Sequence, residues 1–172
     1  MPVEIGLSLG SNLGDRLAML GEAGRRIAAT AGVKILAASP VYETEPVGAQ
    51  PEYAHLRYLN AVLILDYAGD LEVLSKALHA IETDLGRTRS ADRNAPRTID
   101  IDVLYAGQVQ RSDGVLDLPH PRWPQRRFVL QPLADVRPNL MLPGSNRTVS
   151  GCLAALAAGE SVRRFADEWL HF

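Results

Sequence analysis

Two aspartates stand one residue apart in a β-like run, Arg97-Thr98-Ile99-Asp100-Ile101-Asp102-Val103-Leu104. Alternate side chains of a strand share a face, so Asp100 and Asp102 point the same way with Cα atoms roughly 6.5–7 Å apart, while Ile99, Ile101 and Val103 point oppositely. Carboxylates that close repel one another unless a proton or a cation intervenes. Hard oxygen donors suit Mg²⁺, which is commonly held by one or two carboxylates together with substrate phosphates. A strand with one solvated face shows the same alternation, so this run alone leaves both readings open. The segment before it narrows the choice. Four arginines, Arg87, Arg89, Arg93 and Arg97, fall within eleven residues, with turn-forming Asn94 and Pro96 among them. Guanidinium forks match phosphate oxygens in pairs. An arginine loop feeding an acidic strand therefore points to a metal-bridged polyphosphate held from both sides.

A second constellation is Leu118-Pro119-His120-Pro121-Arg122-Trp123-Pro124-Gln125-Arg126-Arg127-Phe128, whose prolines hold an extended path and present His120 and Arg126 from a stiff loop. A lone histidine is usually structural, but an imidazole donor beside an arginine and an acidic strand suits a phosphate contact. Tyr58 and Asn60 stand two apart in an apolar run and share a face, an aromatic and a carboxamide suited to a flat, hydrogen-bonding heterocycle. The run Gly6 to Gly14 resembles a phosphate loop only superficially, and its residues read as a strand-to-helix turn. No G-x-x-x-x-G-K-[ST] or G-x-G-x-x-G occurs, so any nucleotide must be held by another design.

These groups need elements to position them. Val3 to Leu9 alternates as a strand, Ser11 to Asp15 supplies turn and N-cap residues, and Leu17, Leu20, Gly24, Ile27 and Ala31 form a helical stripe. Val33 to Tyr42 reads as a second strand, followed by a polar Pro/Gly-interrupted loop over Glu43 to Pro51 that could serve as a lid. Tyr58 to Leu65 reads as a central strand, and Asp70 caps a helix carrying Leu71, Leu74, Leu78, Ile81 and Leu85. The aspartate strand, Thr98 to Tyr105, comes next, with Ala106-Gly107 turning into a small hairpin toward Gln110. The order βαββαβ is that of a ferredoxin-like α+β fold, an antiparallel sheet with helices on one face. A short helix near Phe128 to Ala134 and a C-terminal region from Val149 to Trp169 follow.

The 172 residues, 47% hydrophobic and 22% charged, suit one domain over 1–172 with a sizeable core. A net charge of -2 provides no general attraction to nucleic acid or membrane, which favours small-molecule partners. Cys152, the single cysteine, lies in an apolar run, which fits a buried thiol and a reducing compartment. The N-terminus has no basic or long apolar segment, so a soluble, cytoplasmic protein is expected.

Arg93 to Leu104 resembles the signature of the 6-hydroxymethyl-7,8-dihydropterin pyrophosphokinases of folate biosynthesis. Leu9-Gly10-Ser11-Asn12, Tyr42-Glu43-Thr44-Glu45-Pro46, Tyr58-Leu59-Asn60-Ala61 and Leu118-Pro119-His120-Pro121-Arg122 follow that family's order and spacing. The resemblance implies an ATP-dependent diphosphotransferase that moves pyrophosphate from ATP to the pterin hydroxymethyl group and releases AMP. By it, Asp100 and Asp102 hold two Mg²⁺ ions, and Arg87 and Arg97 act with them in catalysis. Glu82, Arg87, Arg89, Arg97, Val103, His120 and Arg126 fall on the ATP side. Thr44, Val47, Tyr58, Asn60 and Phe128 fall on the pterin side, with Tyr58 and Phe128 flanking the ring. A monomer is expected. Departures from the family pattern are Asn94 and Pro121, where some members carry an aromatic or polar residue, and a longer stretch from Ala49 to Arg57. The alternative is a paralogue of the same fold that acts on a different pterin or serves as a nucleotide-binding regulator; an RNA-binding module is disfavoured by low aromatic content and the displayed acidic pair.

Overall fold

The structure is a computed structural model, and it describes residues 1–46, 51–86 and 96–171. Six antiparallel-paired strands form its sheet: β1 (Val3–Ser11), β2 (Val33–Ala38), β3 (Val41–Thr44), β4 (Tyr58–Tyr67), β5 (Asp100–Ala106) and β6 (Val162–Ala166). Their order is β5-β1-β4-β3-β6, with β2 also pairing with β4 beside β3. Among the described residues four α-helices accompany them: α1 (Arg16–Ala28), α2 (Leu71–Asp84), α3 (Arg127–Val136) and α4 (Val149–Ala155). Taking β2 and β3 as one interrupted strand gives the ferredoxin-like arrangement. Among the described residues no helix is long and apolar enough to cross a membrane.

The helix starts follow from their capping residues. Asp15 Oδ1 accepts the Ala18 N–H at 3.2 Å, and Asp70 Oδ1 accepts those of Glu72 and Val73 at 2.8 and 3.3 Å, satisfying donors that a first helical turn leaves unpaired. The apolar stripes of both helices then bury against one sheet face, where Ile5, Leu7, Leu9, Leu59, Ala61, Leu63, Leu65, Ile99 and Ile101 form a continuous core.

The two helices of the βαββαβ core, α1 and α2, lie on one face as expected, and the segments after β5 cover the other. The opposite face carries a second core of Val62, Ile64, Leu104, Tyr105, Trp123, Val129, Leu130, Leu133, Leu142 and Val149, built by α3, α4 and the loop at Trp123. β4 is buried from both sides, which explains its nearly unbroken apolar sequence. The expected second strand, Val33 to Tyr42, is broken at Ser39-Pro40. Proline has no N–H for the ladder. Ser39 bridges the gap: its N–H donates to the Val62 carbonyl at 2.9 Å, and its Oγ accepts the Val62 N–H at 2.8 Å. Trp169 Nε1–H donates to the Ser39 carbonyl at 2.8 Å, tying the C-terminal segment to the same joint.

Two further differences concern the second half. The chain turns at Gly107 as expected, but no return strand pairs with β5 among the described residues; the isolated bridge between Arg111 and Leu118, both beyond the turn, closes a separate loop. β6 pairs with β3, although Val-Arg-Arg-Phe-Ala shows no period-2 alternation because the strand is mostly exposed. Cys152, expected to be buried, is a half-buried free thiol of α4 packed against the second core.

Candidate functional site

The strand registers place the chemistry-bearing residues in neighbouring rows of one sheet face. Asp100 lies opposite Gly10, Gly10 opposite Asn60, and Asn60 opposite Tyr42. One step along, Tyr58 lies opposite Thr44, and on the other side of the row Asp102 lies opposite Ser8, itself opposite Val62. Two strand spacings separate Asp100 from Asn60, or roughly 9–10 Å. The acidic pair and the Tyr58/Asn60 pair therefore occupy one face, with a glycine between them.

That glycine is structurally required. A Cβ at Gly10 would lie 2.8 Å from Asn60 Oδ1 and 3.4 Å from the Tyr58 ring. Gly6, four residues earlier on the same face, leaves room for the buried Tyr105 ring, which a Cβ would overlap. β1 thus alternates large apolar residues toward α1 and α2 with Gly6, Ser8 and Gly10 toward the site. The sequence reading treated the Gly10 segment as a turn, and this small-residue alternation was the signal that could have marked it as a floor.

On the acidic side, Arg97 Nη1 stands 3.4 Å from Asp100 Oδ2. Glu82, 3% exposed on α2, accepts the Ile101 N–H at 2.9 Å through Oε2. β5 is the outer strand, so the backbone N–H of the residue between the two aspartates faces away from β1, and this carboxylate satisfies it. Val103 points its side chain into the core shared with α1 and α2, while its backbone, two residues from Ile101, faces the same outer edge. His120 is tied to β5 by its N–H, which donates to the Leu104 carbonyl at 2.8 Å. Burial lowers the His120 pKa, and the nearby Arg126 and Arg122 charges lower it further. Its Nδ1 accepts the Arg122 N–H at 3.1 Å, leaving Nε2 to carry the proton of the neutral ring. Burial also lowers the Arg126 pKa, against the attraction of Asp102. The guanidinium lies over the Phe128 ring, 5.4 Å from its centroid.

On the other side Asn60 and Thr44 are each 4% exposed, and Asn60 Nδ2 donates to Thr44 Oγ1 at 2.6 Å. This bond fixes the amide plane. Tyr42, which opens the Tyr42-to-Pro46 motif but is not among the expected site residues, closes the row by donating its hydroxyl to Asp135 of α3, the helix that begins next to Phe128. Burial and that bond raise the Tyr42 pKa, so it remains a phenol.

Of the predicted residues, Asp100, Asp102, Arg97, His120, Arg126, Thr44, Tyr58, Asn60 and Phe128 belong to this face or its border, and Glu82 and Val103 support it from β5 and α2. Arg87, Arg89 and Val47 lie outside the described residues, as does Asn94. Among the described residues no three or more His, Cys, Asp and Glu side chains form a complete metal cage. Two carboxylates facing one way fit Mg²⁺ all the same, because that ion keeps waters and takes oxygens from a bound phosphate.

Fold and site together define a ferredoxin-like α+β protein whose sheet face carries an acidic pair beside a polar and aromatic cluster. The family model described as 7,8-dihydro-6-hydroxymethylpterin-pyrophosphokinase (HPPK) matches residues 6–138. A 2-amino-4-hydroxy-6-hydroxymethyldihydropteridine pyrophosphokinase of Methylorubrum extorquens is 42% identical over 150 residues, covering 87% of this chain and 91% of that relative. The protein of the same name in Bacillus subtilis is 39% identical over 131 residues, covering 76% and 75%. The Pneumocystis carinii folic acid synthesis protein fol1 is 34% identical over 144 residues, covering 84% of this chain but 19% of its own length. The fold resembles a solved HPPK-DHPS in complex with substrates (TM-score 0.70, 12% identity, 90% of this chain and 44% of that one). It also resembles wild-type Plasmodium falciparum HPPK-DHPS with pterin and p-hydroxybenzoate (TM-score 0.64, 14% identity, 90% and 43%). The chain thus spans most of the two bacterial relatives and less than half of the solved chains. It belongs to the 7,8-dihydro-6-hydroxymethylpterin-pyrophosphokinase family.

Proposed function

We propose that this chain transfers the terminal pyrophosphate of ATP to the hydroxymethyl group of 6-hydroxymethyl-7,8-dihydropterin, giving the pterin diphosphate and AMP. The observation that carries the reading is the row Asp100, Gly10, Asn60, Tyr42, which has the acidic pair and the Tyr58/Asn60 pair on one face with only a glycine between them. The hydroxymethyl oxygen loses its proton to solvent and forms a bond to the β-phosphorus as the bond from that phosphorus to the AMP oxygen breaks. Mg²⁺ held by Asp100 and Asp102, two ions in our reading, would neutralise phosphate oxygens and lower the cost of bringing the hydroxyl against an anion.

The chain's own residues orient and shield. Arg97, Arg87, Arg89 and Arg126 offset charge along the triphosphate, catalysis being positioning and electrostatics more than covalent chemistry. Neutral His120 donates from Nε2 to a phosphate oxygen. The outer backbone edge of β5 at Val103 offers groups to the nucleotide base, and Glu82 holds that edge in place. Tyr58 and Phe128 flank the pterin, Asn60 and Thr44 bond its polar edge, and Val47 lines the same pocket. We read residues 1–172 as one domain acting as a monomer in the cytoplasm, supported by the ordinary charge and single cysteine.

Chromatographic identification of the nucleotide product tests the reading. AMP appearing only with ATP, Mg²⁺ and the pterin together supports it; ADP, or tight pterin binding without turnover, rejects it.

A further inference from the structure

Arg16 opens α1 directly after the Asp15 cap, and by local rules it is out of place there. A helix start carries partial positive charge and favours acidic side chains, yet the first turn of α1 holds none and begins with a guanidinium. A residue that breaks a local rule is accounted for by what it meets in the fold. Arg16 Nη2 stands 2.9 Å from Glu43 Oε2, and its Nη1–H donates to the Arg57 carbonyl at 2.9 Å, across 41 positions. Its guanidinium carbon also lies 5.7 Å from the centroid of the Phe165 ring on β6. The Arg16 and Glu43 side chains are only 25% and 22% exposed, which sets the pair apart from the solvated ion pairs that contribute little. Arg57 Nη1 brings a second cation to 3.7 Å from Glu43 Oε1.

Glu43 precedes Thr44, and Arg57 precedes Tyr58. Thr44 and Tyr58 face one another in the last register pair between β3 and β4. Alternation sends the Glu43 side chain toward α1 and that of Thr44 toward the site. One guanidinium behind the sheet therefore holds both strands, one residue before each member of that pair.

We propose that Arg16 is a positioning residue for the pterin pocket, acting through Glu43 on Thr44 and through the Arg57 carbonyl on Tyr58, an inference that rests on the function proposed above. The end of a two-strand ladder opens locally unless contacts beyond its last hydrogen bonds hold it. A planar fork with donors fixed relative to one another sets the spacing of the two chains, which the point charge of a lysine does not. With that spacing set, Tyr58 is placed beside the pterin ring, and Thr44 stays where it accepts the Asn60 amide. Asp100 and Asp102 lie on β5, beyond β1, so the clamp acts on the pterin side alone.

The test is a pair of calorimetric titrations. One follows the pterin at saturating Mg²⁺ and α,β-methylene-ATP, which cannot release AMP; the other follows that nucleotide analogue with Mg²⁺ binding to the free protein. Arg16→Ala raises the pterin dissociation constant about tenfold, the factor that corresponds to ~1.4 kcal/mol, and leaves that of the analogue within about twofold. Arg16→Lys, which keeps the charge and loses the fork, weakens the pterin in the same selective way. Glu43→Gln does so too, and Arg16→Ala combined with Glu43→Gln is no worse than Arg16→Ala alone, the non-additivity of groups that act as a unit. A pterin constant within about twofold of wild type in Arg16→Ala overturns the proposal, that factor being less than half of the expected effect in free energy. Parallel weakening of both ligands marks Arg16 as merely structural and overturns it too, as does a double variant equal to the sum of the singles. Should circular dichroism show Arg16→Ala unfolded, Arg16→Lys is held to the same criteria. AMP release by the wild type separates the two claims. Without it the functional reading and this inference fall together; with it, an unchanged pterin constant removes only the inference.

Discussion

The two faces of the sheet use the same strands for different ends. Toward α1 and α2, the side chains of β1, β4 and β5 are apolar almost throughout and mostly buried. Toward α3, they are apolar only where Val62, Ile64, Leu104 and Tyr105 lie beneath the helix. Beyond that patch the same face carries Gly10, Asn60, Tyr58, Asp100 and Asp102. Alternation along one strand therefore anchors a residue such as Ile101 while displaying the carboxylates on both sides of it. The lesson is that the site sits on the part of the second face where polar and small residues replace the apolar ones, and the first face supplies its rigidity.

The largest effect expected separates the faces most sharply. Asp100→Ala or Asp102→Ala should lower AMP release by about a thousandfold or more, since charge stabilisation at the reacting phosphates is lost. Circular dichroism should show an unchanged fold, and unfolding of either variant would break the distinction. On the opposite face, Leu63→Ala should cost about 2–5 kcal/mol in urea denaturation, with pterin and ATP KM unchanged in the folded fraction. A selective rise in either KM would show that the first face participates in binding.

Gly10→Ala tests the floor. The added methyl meets Asn60 Oδ1, which the Thr44 bond keeps from swinging away, and overpacking of this kind costs about 1–3 kcal/mol. The pterin KM should rise about tenfold, ten being the factor that corresponds to ~1.4 kcal/mol. Equal KM values for variant and wild type would place the pterin elsewhere. Glu82→Ala removes the acceptor of the buried Ile101 N–H and should destabilise the protein by about 1–3 kcal/mol in the same denaturation assay.

The smallest effect is a pH dependence. Burial first, and then Arg126 and Arg122, depress the His120 pKa below its ordinary value of 6.5. The folded protein thus binds fewer protons there than the unfolded chain does. The associated stability is present above pH 6.5 and is lost as pH falls toward and through the lowered value. His120→Gln should lose less melting temperature than the wild type between neutral pH and pH of about 5. Parallel curves would mean that the ring is not held neutral by its surroundings.

Much of this was legible because strand geometry has a period of two. That period put Asp100 with Asp102 and Tyr58 with Asn60, and the caps at Asp15 and Asp70 announced the helices through local hydrogen bonding. Pro40 was a local warning that the second strand would break, since its missing N–H interrupts any ladder. β6 gave no such warning, because an exposed strand has no buried face to impose alternation.

Sequence by itself determined which side chains share a face and which segment concentrates guanidinium charge, since these depend on neighbours along the chain. Only the tertiary structure decided that Gly10 lies between the acidic and aromatic pairs, that Glu82 supports Ile101, and that Arg16 reaches Glu43 and Arg57. The last two of those relations hold residues 19 to 41 positions apart. They arise from strand register and helix packing, whose hydrogen bonds and contacts form between segments that carry no trace of one another in their local sequence.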